Sequence, residues 1–503
     1  MDGGEIPRIH GAWRCVGRSI ERVNSHPHPA PEGNSPDPNR GRILVILLSS
    51  LFMALMAVSI VNVTLPSIQE GLGATDTGLQ WILSGYALSF GIVLVAAGRA
   101  GDLLGRERIF IAGIALFTVS SLAAALAPSI TWLNVARVVM GVASGLVNPQ
   151  VAGLIQQHYQ GVERARAFAS FGAVVGVAVS VGPVIGGFLL GIFPVEVGWR
   201  TTLGINVPVG AAITVLAWRW MDLRPRPRGG RKLDIDPVGA ALLGTAVLAI
   251  MLPFMLASRH PSAWWLVPGG LVLTWIWVRW ERRYQAIGNQ PMVDLDLFRI
   301  RSYTLGSMMI GVYFMAATSI WVIQAQLVQQ GFGESALTAS LLTLPAAVFT
   351  AVSAQLGGRL VVRIGRWTVV IGLLIMLVGL IATVIMTPLI TQQSVPLWIL
   401  AVSMAPIGIG GGLVTSPNQT LTLREVPVAQ GGTAAAITQT GQRIGTAVGT
   451  AGMTGVYFHL LPHGADVAAD TTYSLIGVVL VVALVISVVD ALGTQRRQHT
   501  SRL

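Results

Sequence analysis

Fourteen apolar stretches run along the chain, at residues 43–66, 80–98, 109–127, 132–154, 167–192, 202–220, 236–257, 263–280, 303–326, 336–356, 367–387, 396–416, 431–457 and 472–492. A helix that crosses a bilayer needs about 20 mostly apolar residues, and every stretch is of that order. The connections between them are short and polar, so no sizeable soluble domain fits between the runs. The pattern predicts an all-α, polytopic membrane protein with fourteen transmembrane helices. Before the first stretch lies a polar segment, 1–42, rich in Pro, Arg and His. It is too long and too polar for an ordinary signal peptide, and it reads as a disordered cytoplasmic tail. His10, His26 and His28 could bind a metal there, but a solvated tail is the plainer reading. A short tail, 493–503, closes the chain.

The basic residues sort to one set of connections. The N-terminal tail and every second connection up to the C-terminal tail carry 29 of the 33 Lys and Arg residues. The alternate connections carry two, Arg200 and Arg259, while Arg137 and Arg443 lie inside stretches. By the positive-inside rule both termini are expected in the cytoplasm and the number of crossings is even. A missed or invented helix would scramble this alternation. Lys232 is the single lysine, so arginine supplies nearly all of the charge.

The chain also repeats. Gly98-Arg99-Ala100-Gly101-Asp102-Leu103-Leu104-Gly105-Arg106 is echoed, 260 positions on, by Gly358-Arg359-Leu360-Val361-Val362-Arg363-Ile364-Gly365-Arg366. Gly145-Leu146-Val147-Asn148-Pro149 is echoed by Gly412-Leu413-Val414-Thr415-Ser416-Pro417. Stretches one to six thus correspond to stretches nine to fourteen. The expected organisation is a six-helix bundle at 43–220, a linker with two inserted helices at 221–302, and a second six-helix bundle at 303–492. Parallel repeats with a substrate site at their interface, near the middle of the membrane, are a known transporter plan. The second copy lacks the acid, since Val362 stands where Asp102 maps.

Composition adds exclusions. Of 503 residues, 53% are hydrophobic and 11% charged, against about 25% charged in soluble proteins. The net charge of +11 would suit a nucleic-acid partner, but its placement beside membrane helices suits topology and anionic lipid instead. One cysteine, Cys15, excludes an internal disulfide and a cysteine-built metal site. No metalloprotease, nucleophile-elbow or Walker sequence occurs in a credible setting. Neither an enzyme nor an ATP-driven pump is expected, and no cofactor or metal.

The connection from Gly98 to Arg108 places five charges in a tight turn between two uncharged runs. Gly98, Gly101 and Gly105 allow sharp bending. Asp102 can accept from free donors at a helix N-terminus or pair with an arginine. In the fourth stretch Arg137, Gly141, Gly145 and Pro149 recur every four residues on one face. A guanidinium at that depth costs about 2.5–3.5 kcal/mol on insertion scales. Arg137 should therefore face a wet cavity, in a coupling or substrate role, or be satisfied by neighbouring carbonyls. The fifth stretch carries Gly172, Gly176, Ser180, Gly182, Pro183, Gly186 and Gly187. Small residues at this spacing let helices approach closely in lipid, and Pro183 favours a kink.

These features together resemble the major facilitator superfamily. The 98–108 connection is similar to the loop signature between its second and third helices, and Arg137 with Gly141 to its fourth-helix motif. Gly182-Pro183-Val184-Ile185-Gly186-Gly187 resembles the motif that marks the antiporters, as exporters, within it. Ser59-Ile60-Val61-Asn62-Val63-Thr64-Leu65-Pro66 resembles the start of the fourteen-helix drug:proton antiporter family. So do Gln80-Trp81 with Tyr86, Trp199-Arg200 with Asn206 and Pro208, Asp294-Leu295 with Phe298-Arg299, and Glu425-Val426-Pro427. Gln439-Thr440-Gly441-Gln442-Arg443-Ile444-Gly445 extends the match to the thirteenth stretch.

The resemblance implies a secondary exporter of amphipathic drugs in the cell membrane, working by alternating access and in exchange for protons. It implies a latch in which Asp102 pairs with Arg106 or Arg108. The family's acid in the first helix is missing, with Ala57 in its place, and arginine cannot titrate in the useful range. Asp102, Glu425, Glu70 and Glu334 remain as proton carriers, all near membrane surfaces. Asn62, Gln80, Trp81, Tyr86, Gln150, Gln156, Asn418, Gln419, Gln439, Gln442 and Arg443 are candidates for a substrate cavity. Each could instead be an interhelical hydrogen bond, worth about 0.6 kcal/mol. The expected partners are a small amphipathic substrate, protons and membrane lipid, with the chain a monomer. Export of an endogenous lipid or secondary metabolite is the rival within transport. A membrane sensor or scaffold that kept the fold is the rival outside it.

Overall fold

The computed structural model describes residues 39–223, 236–256 and 261–500. The expectations for the N-terminal tail with its histidines and Cys15, for Lys232 and Arg259, and for the last three residues lie outside these. The molecule is all-α. In order the long helices are α1 (Arg40–Leu72), α2 (Asp76–Leu104), α3 (Arg106–Ala125), α4 (Ile130–His158), α5 (Gly161–Ile192), α6 (Val195–Gly204) and α7 (Asn206–Trp220). They continue with α8 (Pro237–Leu256), α9 (Leu266–Ala286), α10 (Arg301–Gln326), α11 (Ala336–Ile364), α12 (Trp367–Thr391), α13 (Ile399–Thr422), α14 (Gly431–Leu460) and α15 (Ala465–Thr500).

Most helices outrun the apolar stretches that announced them, because helical hydrogen bonding continues into the polar turns at either end. Side-chain caps start several: Thr75, Ser129 and Ser335 each accept from the backbone N–H three residues on, satisfying a donor that the first turn leaves free. Two expectations are corrected. The sixth stretch is two helices, α6 and α7, broken at Ile205. Pro208 has no N–H to give the Gly204 carbonyl, so one rung of the ladder is missing at this break. The charged turn 98–108 is hardly a turn. α2 runs on through Leu104, Gly105 alone (φ 106°) makes the link, and α3 begins at Arg106.

Twelve of the helical spans among the described residues are long and apolar enough to cross a membrane, with α6 and α7 counting as one. The two that fall short are α9 and α14. Arg279, Glu281, Arg282 and Arg283 crowd the last turns of α9, and Gly, Thr and Gln fill α14. This is a multi-pass membrane protein.

One apolar core gathers side chains mainly of α1, α3, α4, α5 and α7, joined by Tyr86 of α2, Tyr303 of α10 and Ala434 and Ala435 of α14, and a second gathers α10 to α15. The two sets of helices meet where α2 and α4 pack on α14, and where α5 packs on α11 and α13. α8 lies against both α2 and α14, and α9 packs on α8. Within the second set α10 and α14 come close enough for main chain to touch main chain. A Cβ at Gly445 would fall 2.1 Å from the Gly311 carbonyl oxygen. Gly445→Val should therefore destabilise the protein by about 1–3 kcal/mol, read as a lower unfolding midpoint in detergent. Gly187→Ala, where nothing lies within 4 Å, should leave that midpoint unchanged or slightly raised.

Candidate functional site

At the arginine-rich end the Asp102 carboxylate is the hub. Its side chain is 2% exposed and that of Arg106 4%. Asp102 Oδ1 accepts from Arg106 Nε at 2.9 Å and Nη2 at 2.7 Å. It also reaches the first turn of α14. There it accepts from the Gly432 N–H at 3.1 Å, and from the Thr433 N–H and Oγ1 at 2.8 Å each. Those amides have no partner within their own helix and carry the positive end of its dipole. Arg106 spends its remaining donors on the carbonyls of Gly153 (2.8 Å) in α4 and Val428, just before α14. Gln156 of α4 donates to the carbonyls of Leu423 and Val426, 3.0 Å each. Three side chains thus tie α2, α3 and α4 to the α13–α14 junction. Gly98 is required by contact, since a Cβ there would lie 2.6 Å from the Gly432 carbonyl oxygen. Of the two arginines named from sequence, Arg106 pairs with Asp102, whereas Arg108 donates to the Leu223 carbonyl.

The second repeat solves the same corner differently. Gly365 turns the chain at φ 56°, and Arg366 occupies the place of Arg106. With Val362 where the acid would be, Arg366 pairs at 2.5 Å with Asp490 of α15, both side chains at most 5% exposed. It also donates to Asn418 Oδ1 (2.9 Å) and the Ser302 carbonyl (2.7 Å). Burial pulls this guanidinium below its usual pKa, and the Asp490 and Glu425 carboxylates oppose the shift. Sequence reasoning missed the pair, because no local pattern links two residues so far apart in the chain. Its Asn418, named from sequence as a cavity residue, belongs to this corner.

Above the Asp102 hub lies a mid-depth cluster between the two sets of helices. Arg137 Nε donates to the Ile82 carbonyl at 3.1 Å, and its guanidinium carbon sits 4.5 Å from the Tyr86 ring centroid. Gly141 lets α4 reach α2, for a Cβ there would strike Ser89 Oγ and the Tyr86 carbonyl oxygen. Tyr86 bonds Ser144 at 2.6 Å and stacks on Phe90. Phe90 in turn lies under the Arg443 guanidinium, 4.5 Å away. Gln439, one turn before Arg443, approaches the Asn148 carbonyl at 3.5 Å. Asn62 and Trp81 are exposed in α1 and α2, and Gln80 and Gln442 are half-buried. Gln150 is instead committed to the Ala97 carbonyl.

α5 runs unbroken through Pro183. Gly172 and Gly176 face α11 and α13, where Cβ atoms would meet Ser416, Ala354 and Thr350, while Gly182 and Gly186 face Ser59 and Ile60 of α1. The helix therefore leans on the second set over its first half and on the first set over its second.

Residues 47–450 match the family model described as the Major Facilitator Superfamily. The chain belongs to the Major Facilitator Superfamily. It is 30% identical over 453 residues, 88% of this chain and 77% of the relative, to the protein of Streptomyces coelicolor named "Probable actinorhodin transporter". It is likewise 30% identical to the puromycin resistance protein pur8 of Streptomyces alboniger, covering 90% of each chain. The structure of the human organic anion transporter MFSD10 superimposes with a TM-score of 0.66 at 14% identity, covering 90% of this chain and all of that one. At that identity the likeness is one of fold. The family is one of transporters, not enzymes.

Two outcomes follow from the corners. Asp102→Ala should open the Asp102 corner by about 10–100-fold, since each bond to a charged group is worth about 1.5–3 kcal/mol. A cysteine introduced at Ala435, now fully buried, should then react faster with a water-soluble maleimide in a Cys15→Ala background. Asp490→Ala should cost about 3–5 kcal/mol by stranding a buried Arg366, and adding Arg366→Met should recover part of the lost unfolding midpoint.

Proposed function

We propose that the protein is a fourteen-crossing exporter of small amphipathic molecules. It sits in the plasma membrane with both termini in the cytoplasm and works by alternating access. The observation that carries this reading is the pairing of a shut, charge-linked corner at the arginine-rich end with a polar and aromatic cluster about 17 Å deeper between the two helix sets, at 1.5 Å per residue. With arginine-rich connections on the cytoplasmic side, the Asp102 corner closes the cytoplasmic entrance. The substrate site is then the cluster of Tyr86, Phe90, Gln439, Gln442 and Arg443, with Asn62, Gln80 and Trp81 lining its approach.

Transport needs the two six-helix halves to rock about this cluster. α5 is built for that, with bare glycine faces toward both halves. The Asp102 bonds to the first turn of α14 must break when the cytoplasmic side opens, so Asp102, Gly105 and Arg106 set the balance between the two states. We assign α9 and α14 as crossings as well, α14 because it threads the bundle and needs no apolar coat. Membership of a family with relatives named for drug resistance supports export as the direction.

Protons are the proposed counter-ion. Among the described residues the acids lie toward the membrane surfaces, so the titrating group is to be sought there, not in the central cluster. The test is reconstitution in liposomes with an imposed pH gradient and a panel of amphipathic dyes. Uphill dye movement that collapses with a protonophore is expected. Dye movement indifferent to the gradient would remove the proton assignment, and no movement of any dye would remove the exporter reading.

A further inference from the structure

Among the described residues, one basic group in the bundle interior has no acid near it and no carbonyl assigned to it. Arg443 sits eleven residues along α14 beyond Gly432, and Phe90 twelve residues along α2 before Asp102. The two meet about 17 Å above the hub, close to the middle of a hydrocarbon layer about 30 Å thick. The Arg443 guanidinium carbon lies 4.5 Å from the Phe90 centroid, and its Nε is shut from solvent without a hydrogen-bond partner. The contrast with the other interior arginines is sharp. Arg106 and Arg366 each face a carboxylate, and Arg137 is held by the Ile82 carbonyl and the Tyr86 face. Intramembrane charges are paired or line a water-filled path, and Arg443 lies where the two helix sets meet.

The surroundings are positive as a whole. Arg137, Tyr86, Phe90 and Arg443 form a string of cation, two stacked rings and cation. No Asp or Glu of the described residues lies at this depth. Ala57, in the first helix, is fully buried and apolar. A cationic substrate would meet two like charges in a medium of low dielectric, where such repulsion is poorly screened. An anion would supply the missing partner to a guanidinium whose planar donors suit a carboxylate. Its aromatic body would find Tyr86, Phe90 and Trp81.

We infer that Arg443 is the charge-recognising residue of the substrate site and that the site takes small aromatic organic anions in preference to cations. This rests on the exporter reading given above and names its substrate class.

The probes are carboxyfluorescein as the anion and ethidium as the cation, with the full chain purified in detergent. Carboxyfluorescein should bind by fluorescence anisotropy. Arg443→Gln should weaken it at least tenfold, and Arg443→Lys, which keeps the charge, by no more than about threefold. Ethidium binding should be the weaker of the two and should hold or strengthen in Arg443→Gln, where one like charge is gone. Equal unfolding midpoints of the variants would show that folding is intact. Tighter binding of ethidium than of carboxyfluorescein, or an equal effect of Arg443→Gln on both, would overturn the inference. Liposome uptake separates this from the parent reading. Transport of ethidium but not of carboxyfluorescein defeats the anion assignment and keeps the exporter. Binding of carboxyfluorescein that Arg443→Gln abolishes, with no transport of either dye, keeps the anion site and defeats the exporter.

Discussion

A buried carboxylate at the start of a helix joins the two sets of helices at the arginine-rich end. Asp102 is almost fully excluded from water, and a charge so placed is tolerable only if every lone pair is used. One cation and three polar hydrogens use them: Arg106 on one side, two free amides and a hydroxyl of the first α14 turn on the other. The donors come from both sets of helices, so the ion is stable only when the sets are together at this end. Separation exposes Asp102 and the α14 turn to water at once, which supplies replacement hydrogen bonds. Water thus offsets part of what the broken bonds cost, which keeps the gap between shut and open below the sum of those bonds. That suits a protein that must cycle.

The corner of the second repeat shows what changes when the acid moves. Arg366 takes its counter-ion from α15, a helix of its own set, and its other partners, Asn418 and Ser302, belong to that set too. Nothing in that arrangement crosses to α1–α7. It locks one half internally, whereas Asp102 locks the halves to each other. With Val362 in place of the acid, the second corner is bonded within its own set and the first across both sets, and the repeat is symmetric in backbone but not in charge.

Apolar length, the arginine count and the repeat made the all-helical architecture and the order of the long helices legible from sequence, while their number differs: fourteen stretches stand against twelve spans long and apolar enough to cross a membrane among the described residues. Local chemistry was legible too, as Asp102 and Arg106 stand one helical turn apart. Three things were not. The single-residue link at Gly105 was hidden because glycines that serve close packing, Gly98 against Gly432, look the same as glycines that bend. The Asp490 partner of Arg366 was hidden because it depends on tertiary folding. The roles of the amides could not be sorted, because Gln150 and Gln156, six residues apart on one helix, serve different ends. Gln150 braces α2 within the first set, while Gln156 reaches across to the α13–α14 junction.

The polarity of α14 explains why it falls short of the apolar length that the twelve candidate spans reach. A helix rich in Gly, Thr and Gln gains little from lipid and is stable in a membrane only where neighbours cover it. α2 and α4 cover it on one side and α10 and α15 on others, and α8 lies along its seam with α2. Leu88 of α2, Val247 and Met251 of α8 and Ile444 of α14 form one apolar cluster at that seam, at the level of Arg443 and on the next position round the helix. α8 thereby takes on a physical task. α14 can present glutamine and arginine between the two sets of helices because α8 covers the flank of the joint.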